Sequence, residues 1–280
     1  MSIQYGNSGD AVKQLQQDLN KLQYSLVEDG YFGPKTLVAV QDFQQSKGLV
    51  VDGIVGPRTQ AAIQLALNPN PNVDTILYGV DLYHGDSVTS WNSVKNSKIS
   101  YVFLKATEGT GFVDNKFNRR WNELKENGLI RAAYHFFRPS KDAIKQAEHF
   151  WNVVGNLEDD DMPLVLDLEV DDGMPSSTVE GKALDFLLKV EALSGKRPII
   201  YGGPYFLKDL TLAERFKDYP LWVAHYKSSG QPMIPSPWIN YTFWQYSDKA
   251  QVLGIGNPCD INKYRGSLDD LKKFIADSKV

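Results

Sequence analysis

The sequence predicts a mixed α/β chain: a small three-helix bundle followed by a barrel of alternating strands and helices. Three observations carry this. A short motif is repeated within residues 1–67, an Asn/Pro run follows at Asn68-Pro69-Asn70-Pro71-Asn72, and short apolar runs then recur from Ile76 onward. Strands that alternate with helical stretches indicate βαβ units and a parallel sheet.

The repeat comes first. Asp29-Gly30-Tyr31-Phe32-Gly33-Pro34-Lys35-Thr36 recurs 23 residues later as Asp52-Gly53-Ile54-Val55-Gly56-Pro57-Arg58-Thr59. Each copy offers an Asp-Gly turn, then Gly-Pro, then a helix, and proline suits a first helical position because its missing N–H would go unpaired there anyway. The spacing predicts a helix over Thr36–Ser46, with Leu37, Val40 and Phe43 on one side and Gly48 as a stop. A second is predicted over Thr59–Leu67, with Ala62, Ile63 and Ala66. An earlier helix places Asp10 as candidate N-cap and Val12, Leu15, Leu19 and Leu22 at helical spacing. A module this small buries a thin core and is marginally stable alone. The alternating Asn and Pro that follow disfavour helix, so residues 68–75 read as a short, stiff linker.

The module, residues 1–67, resembles the peptidoglycan-binding domain type 1. The match runs through Gly9-Asp10-Ala11-Val12, Leu15-Gln16, Leu19, Asp29-Gly30, Phe32-Gly33, Thr36, Ala39-Val40, Phe43-Gln44, Asp52-Gly53, Val55-Gly56 and Thr59. The resemblance implies attachment to bacterial peptidoglycan, with contact near the repeat turns.

Residues 76–280 supply the barrel. Strand-like runs fall at Leu77–Tyr83, Tyr101–Thr107, Ile130–Phe136, Pro163–Glu169, Arg197–Gly202, Leu221–Tyr226, Thr242–Ser247 and Asp260–Tyr264. Helices are expected over Lys116–Asn127, Lys141–Val154 and Thr178–Leu193. Between Tyr226 and Thr242 the chain carries Ser-Ser-Gly-Gln-Pro and Pro-Ser-Pro, which is loop composition. The expectation is therefore an incomplete, irregular TIM-like (β/α)5(β)3 barrel: five βα units, then strands joined mostly by loops.

In such barrels the working residues sit at the C-terminal ends of the strands. Those ends read Asp81 and Tyr83; Lys105 and Glu108; Tyr134, His135 and Phe136; Asp167 and Glu169; Tyr201; His225 and Tyr226; Trp244, Gln245 and Tyr246; Asp260 opens the last strand. Acids and aromatics converge on one rim, as in a carbohydrate cleft. The sharpest signal is Asp167-Leu168-Glu169 after an apolar run. Side chains two apart on a strand share a face, with Cα atoms roughly 6.5–7 Å apart. Burying two unpaired carboxylates costs several kcal/mol. The bland alternative is one salt-bridged acid and one solvated acid at a loop start, and the convergence of other acids on the rim weighs against it.

The remaining composition excludes several classes. With 42% hydrophobic and 23% charged residues, the 280-residue chain is of ordinary globular composition. A net charge of −4 gives no footing for a nucleic-acid partner. The single cysteine, Cys259, leaves no intramolecular disulfide and no cysteine-rich zinc site. No apolar run is long enough for a membrane span, and Met1-Ser2-Ile3-Gln4-Tyr5-Gly6 shows no signal peptide. The expectation is synthesis in a host cytoplasm, action on the wall after release, and no cofactor or metal.

Residues 77–270 resemble the glycoside hydrolase family 25 muramidases. The matching stretches are Gly79-Val80-Asp81, Trp91, Phe103-Leu104-Lys105-Ala106-Thr107-Glu108-Gly109, Ala133-Tyr134-His135-Phe136, Asp167-Leu168-Glu169, Leu221-Trp222-Val223-Ala224-His225-Tyr226, Phe243-Trp244-Gln245-Tyr246 and Asp260. Tyr83 stands where a small residue is common, and Cys259-Asp260-Ile261-Asn262 departs from Val-Asp; neither removes an acid. The resemblance implies cleavage of the β-1,4 bond between N-acetylmuramic acid and N-acetylglucosamine. It implies Glu169 as general acid and then base, and Asp167 as either nucleophile or orienting group for the substrate's N-acetyl. A carboxyl separation of about 5–5.5 Å fits direct retention and roughly 6.5–9.5 Å fits inversion; sequence leaves this open. Asp81 and Asp260 complete the acid quartet, and Tyr134, Tyr201, Trp222, Tyr226 and Trp244 are the candidate substrate-binding aromatics. The plan as a whole looks like a bacteriophage endolysin. Competing readings are a zinc amidase, disfavoured by four scattered histidines without a His-Glu-x-x-His motif, a non-catalytic wall binder, and a glucosaminidase or chitinase-like enzyme on the same barrel.

Overall fold

The computed structural model of the chain describes residues 2–47, 49–67, 76–210, 212–227 and 230–280, the side chains of Ala61 and Leu65 excepted. It divides into two units, Met1–Val73 and Asp74–Val280. The stop expected at Gly48 and the linker expected over 68–75 lie outside the described residues.

In the first unit, helices α1 (Asp10–Lys21), α2 (Pro34–Ser46) and α3 (Pro57–Leu67) enclose Val12, Leu15, Leu19, Phe32, Val40, Phe43 and Ile63. Pro34 and Pro57 are themselves the first helical residues, two positions before the expected starts. Asp10, expected as N-cap, is instead the first helical residue. Gly9 holds the cap position at φ 120° without a side-chain cap, a conformation glycine adopts without strain. Its N–H is bonded to the Gly30 carbonyl, which ties helix start to repeat turn.

A buried glutamine clasps each repeat turn. Gln16 Nε2 donates to Asp29 Oδ1 at 2.8 Å, the Tyr31 carbonyl at 3.0 Å and Thr36 Oγ1 at 3.3 Å, while its Oε1 accepts from Gly30 N–H at 2.8 Å. Gln44 does the same to Asp52, the Ile54 carbonyl, Thr59 and Gly53 N–H, at 2.8, 3.0, 3.1 and 2.9 Å. The threonines expected to open the helices serve this clasp instead. Each glutamine thereby pairs the buried glycine N–H of its turn.

The second unit runs β1 (Ile76–Leu82), α4 (Trp91–Asn96), β2 (Ile99–Glu108), β3 (Phe112–Val113), α5 (Phe117–Glu126), β4 (Ile130–Phe136), α6 (Ala143–Val154), β5 (Val165–Asp167), α7 (Ser176–Ser194), β6 (Ile199–Gly202), α8 (Pro204–Asp209), β7 (Leu221–Ala224), β8 (Phe243–Ala250), β9 (Cys259–Arg265) and α9 (Leu268–Asp277). The sheet order is β1-β9-β8-β7-β6-β5-β4-β2-β3, and a β1–β2 pairing closes it. Neighbours are parallel except at β9, which is antiparallel to both β8 and β1, and at the short β2–β3 hairpin. Thus the sheet is closed, and only the helix ring is incomplete: β7, β8 and β9 follow one another without an intervening α-helix among the described residues.

Alternation along the strands separates two apolar layers. Tyr101 and Phe103 of β2 join Ala132, Val165, Ile199, Trp222, Phe243 and Tyr264 inside the barrel. Val102 and Leu104 face outward with Val80 and Leu82 against Leu124, Phe150 and Phe186 of the helices. Helix α9, capped by a Ser267–Asp270 box, packs Leu271 and Ile275 into the interior cluster. The other end of the barrel is left for side chains of a different kind.

The clasp yields a stability prediction. All six tryptophans lie between Trp91 and Trp244, so indole fluorescence reports the second unit alone. Gln44→Leu strands the buried Gly53 N–H, whereas the Ile54 carbonyl keeps the Gly56 N–H and the Thr59 hydroxyl; the cost is about 1–3 kcal/mol. Far-ultraviolet circular dichroism of the intact chain in urea should show part of the signal lost earlier, while the fluorescence transition stays in place. Coincident shifts in both signals would contradict the assignment.

Candidate active site

The C-terminal ends of the parallel strands surround a cavity of about 350 Å³. Four acids line it, Asp81, Asp167, Glu169 and Asp260, together with Tyr83, Tyr134, Phe136, Tyr201, Trp222, Tyr226, Lys105 and Gln245. Asp260 reaches this rim because β9 runs antiparallel, which sets its first residues beside the last residues of β1; Asp81 pairs directly with Asp260 in the ladder. Asp167 is the last residue of β5, its carbonyl accepting from Phe137 N–H at 2.9 Å. Glu169 stands just beyond the strand rather than on it. Leu168 between them is buried, whereas Glu169 is open to solvent.

Asp81 is the most constrained of the four. Asn262 Nδ2 donates to its Oδ2 at 2.7 Å, and Gln245 Nε2 lies 3.0 Å from each of its oxygens. Both amides are oriented by their other ends. Trp222 Nε1, a donor only, bonds Asn262 Oδ1 at 2.7 Å, and the hydroxyls of Tyr201 and Tyr226 donate to Gln245 Oε1 at 2.9 and 3.0 Å. The indole thus forces Asn262 to present its NH₂ to Asp81, and the two tyrosine hydroxyls on its oxygen leave Gln245 to do the same.

Burial raises the proton affinity of all four acids, and a neighbouring acid adds to it at Asp81, Asp167 and Asp260. Burial, and next the charge of Asp260, push the Asp81 carboxyl up, with Asn262 and Gln245 pulling it back. Asp167 is held well above the usual carboxylate range by burial and then by Glu169, with Lys105 opposing. Its Oδ1 is buried without a hydrogen-bond partner. Glu169, despite its exposure, is raised by the walls that thin its hydration, with the Tyr201 hydroxyl and Lys105 opposing. Asp260 is pushed up to about 6, by burial first and then by Asp86, Asp248 and Glu169. Four carboxyls this close keep at least one proton among them near neutrality.

The expected aromatics divide. Tyr226 is 51% exposed and presents an open ring. Tyr134 is half-buried, and Tyr201 is buried with its hydroxyl on Gln245. Trp222 forms floor, not platform: one face stacks on Phe103 at 3.9 Å and its edge leans on Tyr201 at 4.3 Å. Trp244, expected to bind substrate, does not line the cavity. Its neighbour Gln245 points inward, so strand alternation turns Trp244 outward. There its indole N–H bonds the His225 carbonyl at 2.8 Å and Lys263 lies 4.9 Å over the ring. Lys105 and Glu108 pair at 2.8 Å, as their spacing allowed, and Lys105 also sits 4.7 Å over the Phe136 ring. Gln245, a strand-end residue, and Asn262, within the last motif, carry no role expected from sequence. A polar residue alternating with aromatics at a strand end was the available signal for Gln245.

The histidines serve separate partners: His84 with Asp114, His135 with Thr107 and Gln146, His149 with the Phe112 carbonyl, His225 with Met233 N–H. Among the described residues no group of three or more His, Cys, Asp or Glu side chains is placed to hold a metal ion.

A pH dependence follows from Asp260. A carboxyl raised from 3.8 to about 6 binds more proton folded than unfolded, so its ionisation weakens the fold as pH climbs through that window. Asp260→Asn removes this penalty. Fluorescence-monitored melts should show the variant level with its own low-pH offset below about pH 4, gaining on the parent between pH 4 and 6, and constant above. A difference that does not change with pH would contradict the assignment.

The profile of the family described as glycosyl hydrolases family 25 matches residues 80–255, and that of a putative peptidoglycan binding domain matches residues 8–63. The chain is 36% identical over 204 residues to the uncharacterized protein YegX of Escherichia coli K12, covering 71% of this chain and 73% of that one. It is 31% identical over 226 residues to lysozyme M1 of Streptomyces globisporus, covering 73% and 76%. The bacterial lysozyme structure from Streptomyces coelicolor superposes with a TM-score of 0.69 at 30% identity, over 72% of this chain and 98% of that one. A closed barrel with its acids at one rim, and a profile match across most of that barrel, place the chain in glycosyl hydrolase family 25.

Proposed function

We propose that the chain is a muramidase, hydrolysing the β-1,4 bond between N-acetylmuramic acid and N-acetylglucosamine in bacterial peptidoglycan. The observation that carries this is the gathering of Asp81, Asp167, Glu169 and Asp260 in one aromatic-walled cavity. Glycoside hydrolysis needs a protonated and an ionised carboxyl flanking an oxocarbenium-like transition state. Glu169 is suited to deliver the proton, being both open to solvent and raised in proton affinity. Once the leaving group departs, the same carboxylate takes a proton from the incoming water. Asp167 is only 4% exposed. Such an enclosed carboxylate suits the orienting of the substrate's acetamido group better than direct attack on the anomeric carbon. Asp81, fixed by three N–H···O contacts, is held in one position below, and Asp260 faces it across the seam.

The wall-binding module supports peptidoglycan as partner, and we place the site of action at the bacterial wall, in the manner of a phage endolysin. Tethering raises the local concentration of the barrel at its substrate. Gln44→Leu, by loosening the module, should depress lysis of intact walls while leaving hydrolysis of short soluble fragments unchanged; equal losses on both would remove the tether from the reading.

The decisive test is digestion of purified peptidoglycan with chemical identification of the new reducing ends. Muramic-acid ends from the parent, reduced at least a hundredfold in Glu169→Gln, support the reading, since general acid catalysis contributes roughly 10²–10⁴-fold. Glucosamine ends would make the enzyme a glucosaminidase. Released amino groups without reducing ends would make it a peptidase or amidase.

A further inference from the structure

Two sets of exposed aromatic side chains stand on opposite sides of the carboxylate cavity. Around the closed sheet, β6 lies four strands from β1 in either direction, and β7 lies four strands from β2. Tyr83 and His84 follow β1, and Phe112 lies in β3 beside β2. Tyr205 follows β6 on α8, and His225 and Tyr226 follow β7. All six are at the same rim, because each follows or extends the C-terminal end of a strand parallel to the others. Tyr83 from one set and Tyr226 from the other both line the cavity.

The first set is a built shelf. His84 meets Tyr83 edge-on at 5.1 Å and 80°, and meets Phe112 at 5.7 Å and 55°. Tyr83 and Phe112 are 46% and 43% exposed. The shelf is pinned from behind. Buried Asp114 Oδ2 accepts from the His84 backbone N–H at 2.6 Å and lies 3.2 Å from its Nδ1, and the Phe112 carbonyl is 3.0 Å from His149 Nε2. In the second set, Tyr205 is 63% exposed and edge-on to His225 at 5.9 Å and 79°. Ordered aromatic surface left open to water on both sides of a cleft, and continuous with it, marks a surface that is covered when the cleft is occupied.

We propose that these two shelves are remote glycan subsites, over which the peptidoglycan sugar chain lies as it crosses the barrel mouth, so that the enzyme favours long glycan chains. This rests on the muramidase reading. The occupant is the sugar chain rather than its peptide stems, because a chain cut at the cavity must leave it on both sides and the shelves stand at those two exits. Sugar rings offer apolar faces that suit edge-anchored aromatic rings. Binding energy gained so far from the reacting bond aids its distortion and alignment, and so acts on kcat as well as KM.

The test uses the intact chain and peptide-free peptidoglycan oligosaccharides, from the shortest one cleaved up to an octasaccharide. The parent should show kcat/KM rising with length. Phe112→Ala and Tyr205→Ala should each lose about fivefold to tenfold on the octasaccharide, the scale of one aromatic contact, with the shortest substrate unaffected. Phe112→Trp, which keeps a ring, should retain the length preference. A flat length dependence in the parent, or equal losses on short and long substrates in the variants, would overturn the shelves while the muramidase reading stood. Losses confined to peptide-bearing fragments would overturn the glycan as occupant. No reducing ends from any oligosaccharide with the parent would remove the muramidase reading and the shelves with it.

Discussion

The buried carboxylate of Asp81 is the constraint on which the catalytic mouth depends. Removing that charge from water costs several kcal/mol unless hydrogen-bond donors replace the lost hydration. The donors come from Gln245 on β8 and Asn262 on β9, and those amides are aimed by Tyr201 on β6 and by Trp222 and Tyr226 on or just after β7. Four strands are thus locked to β1 through one carboxylate. A one-residue slip of β9 would turn Asn262 out of the barrel. It would also carry Asp260 away from the cavity. The antiparallel β9 is therefore what lets the sheet close and still deliver an acid to the rim.

Much of this was legible in the sequence, and the parts that were not share a physical cause. The five βα units, the loop-joined last strands and the acids at strand ends all follow from period and punctuation, which are local. Orientation across a closed sheet is not. Trp244 and Gln245 look equally able to face the cavity until register decides which of two neighbours points inward. Trp222 does face inward, yet its stacking on Phe103 comes from packing between β2 and β7 and left no local trace. Asn262 was visible only as part of a departure from the family pattern, although it holds Asp81. Short elements also escaped: β3, α4 and α8 are two to six residues long, too few to set up a period.

The N-terminal module shows the same division. Its repeat was plain because Asp-Gly, Gly-Pro and Thr recur at one offset. The clasping glutamines do not share that offset: Gln16 lies 13 residues before Asp29, while Gln44 lies 8 before Asp52. The turn is duplicated but the helix that supplies its clasp is placed differently, so equivalence exists in space and not in the sequence register. Asp10 was misread for a related reason. The N-cap is set by the conformation of Gly9, whose N–H is committed to the other end of the repeat turn, and not by side-chain capping.

The charge balance of the cavity completes the account. Lys105 is the cation among its lining residues, and where it puts that charge matters. A lysine paired directly with Asp167 would hold it ionised and pull its proton affinity down. Instead the ammonium bonds Glu108 at 2.8 Å and rests over the Phe136 ring, so it pulls on Asp167 and Glu169 only through space. Asp167 is left with a buried oxygen that has no partner, beside Glu169. Asp81 is meanwhile supplied with three N–H contacts. One carboxyl is fixed by donors and another is starved of them within the same small cavity. That contrast is what separates a carboxyl held in one position from a carboxyl pair able to hold and release a proton, and it arises from which strand ends carry amides and which do not.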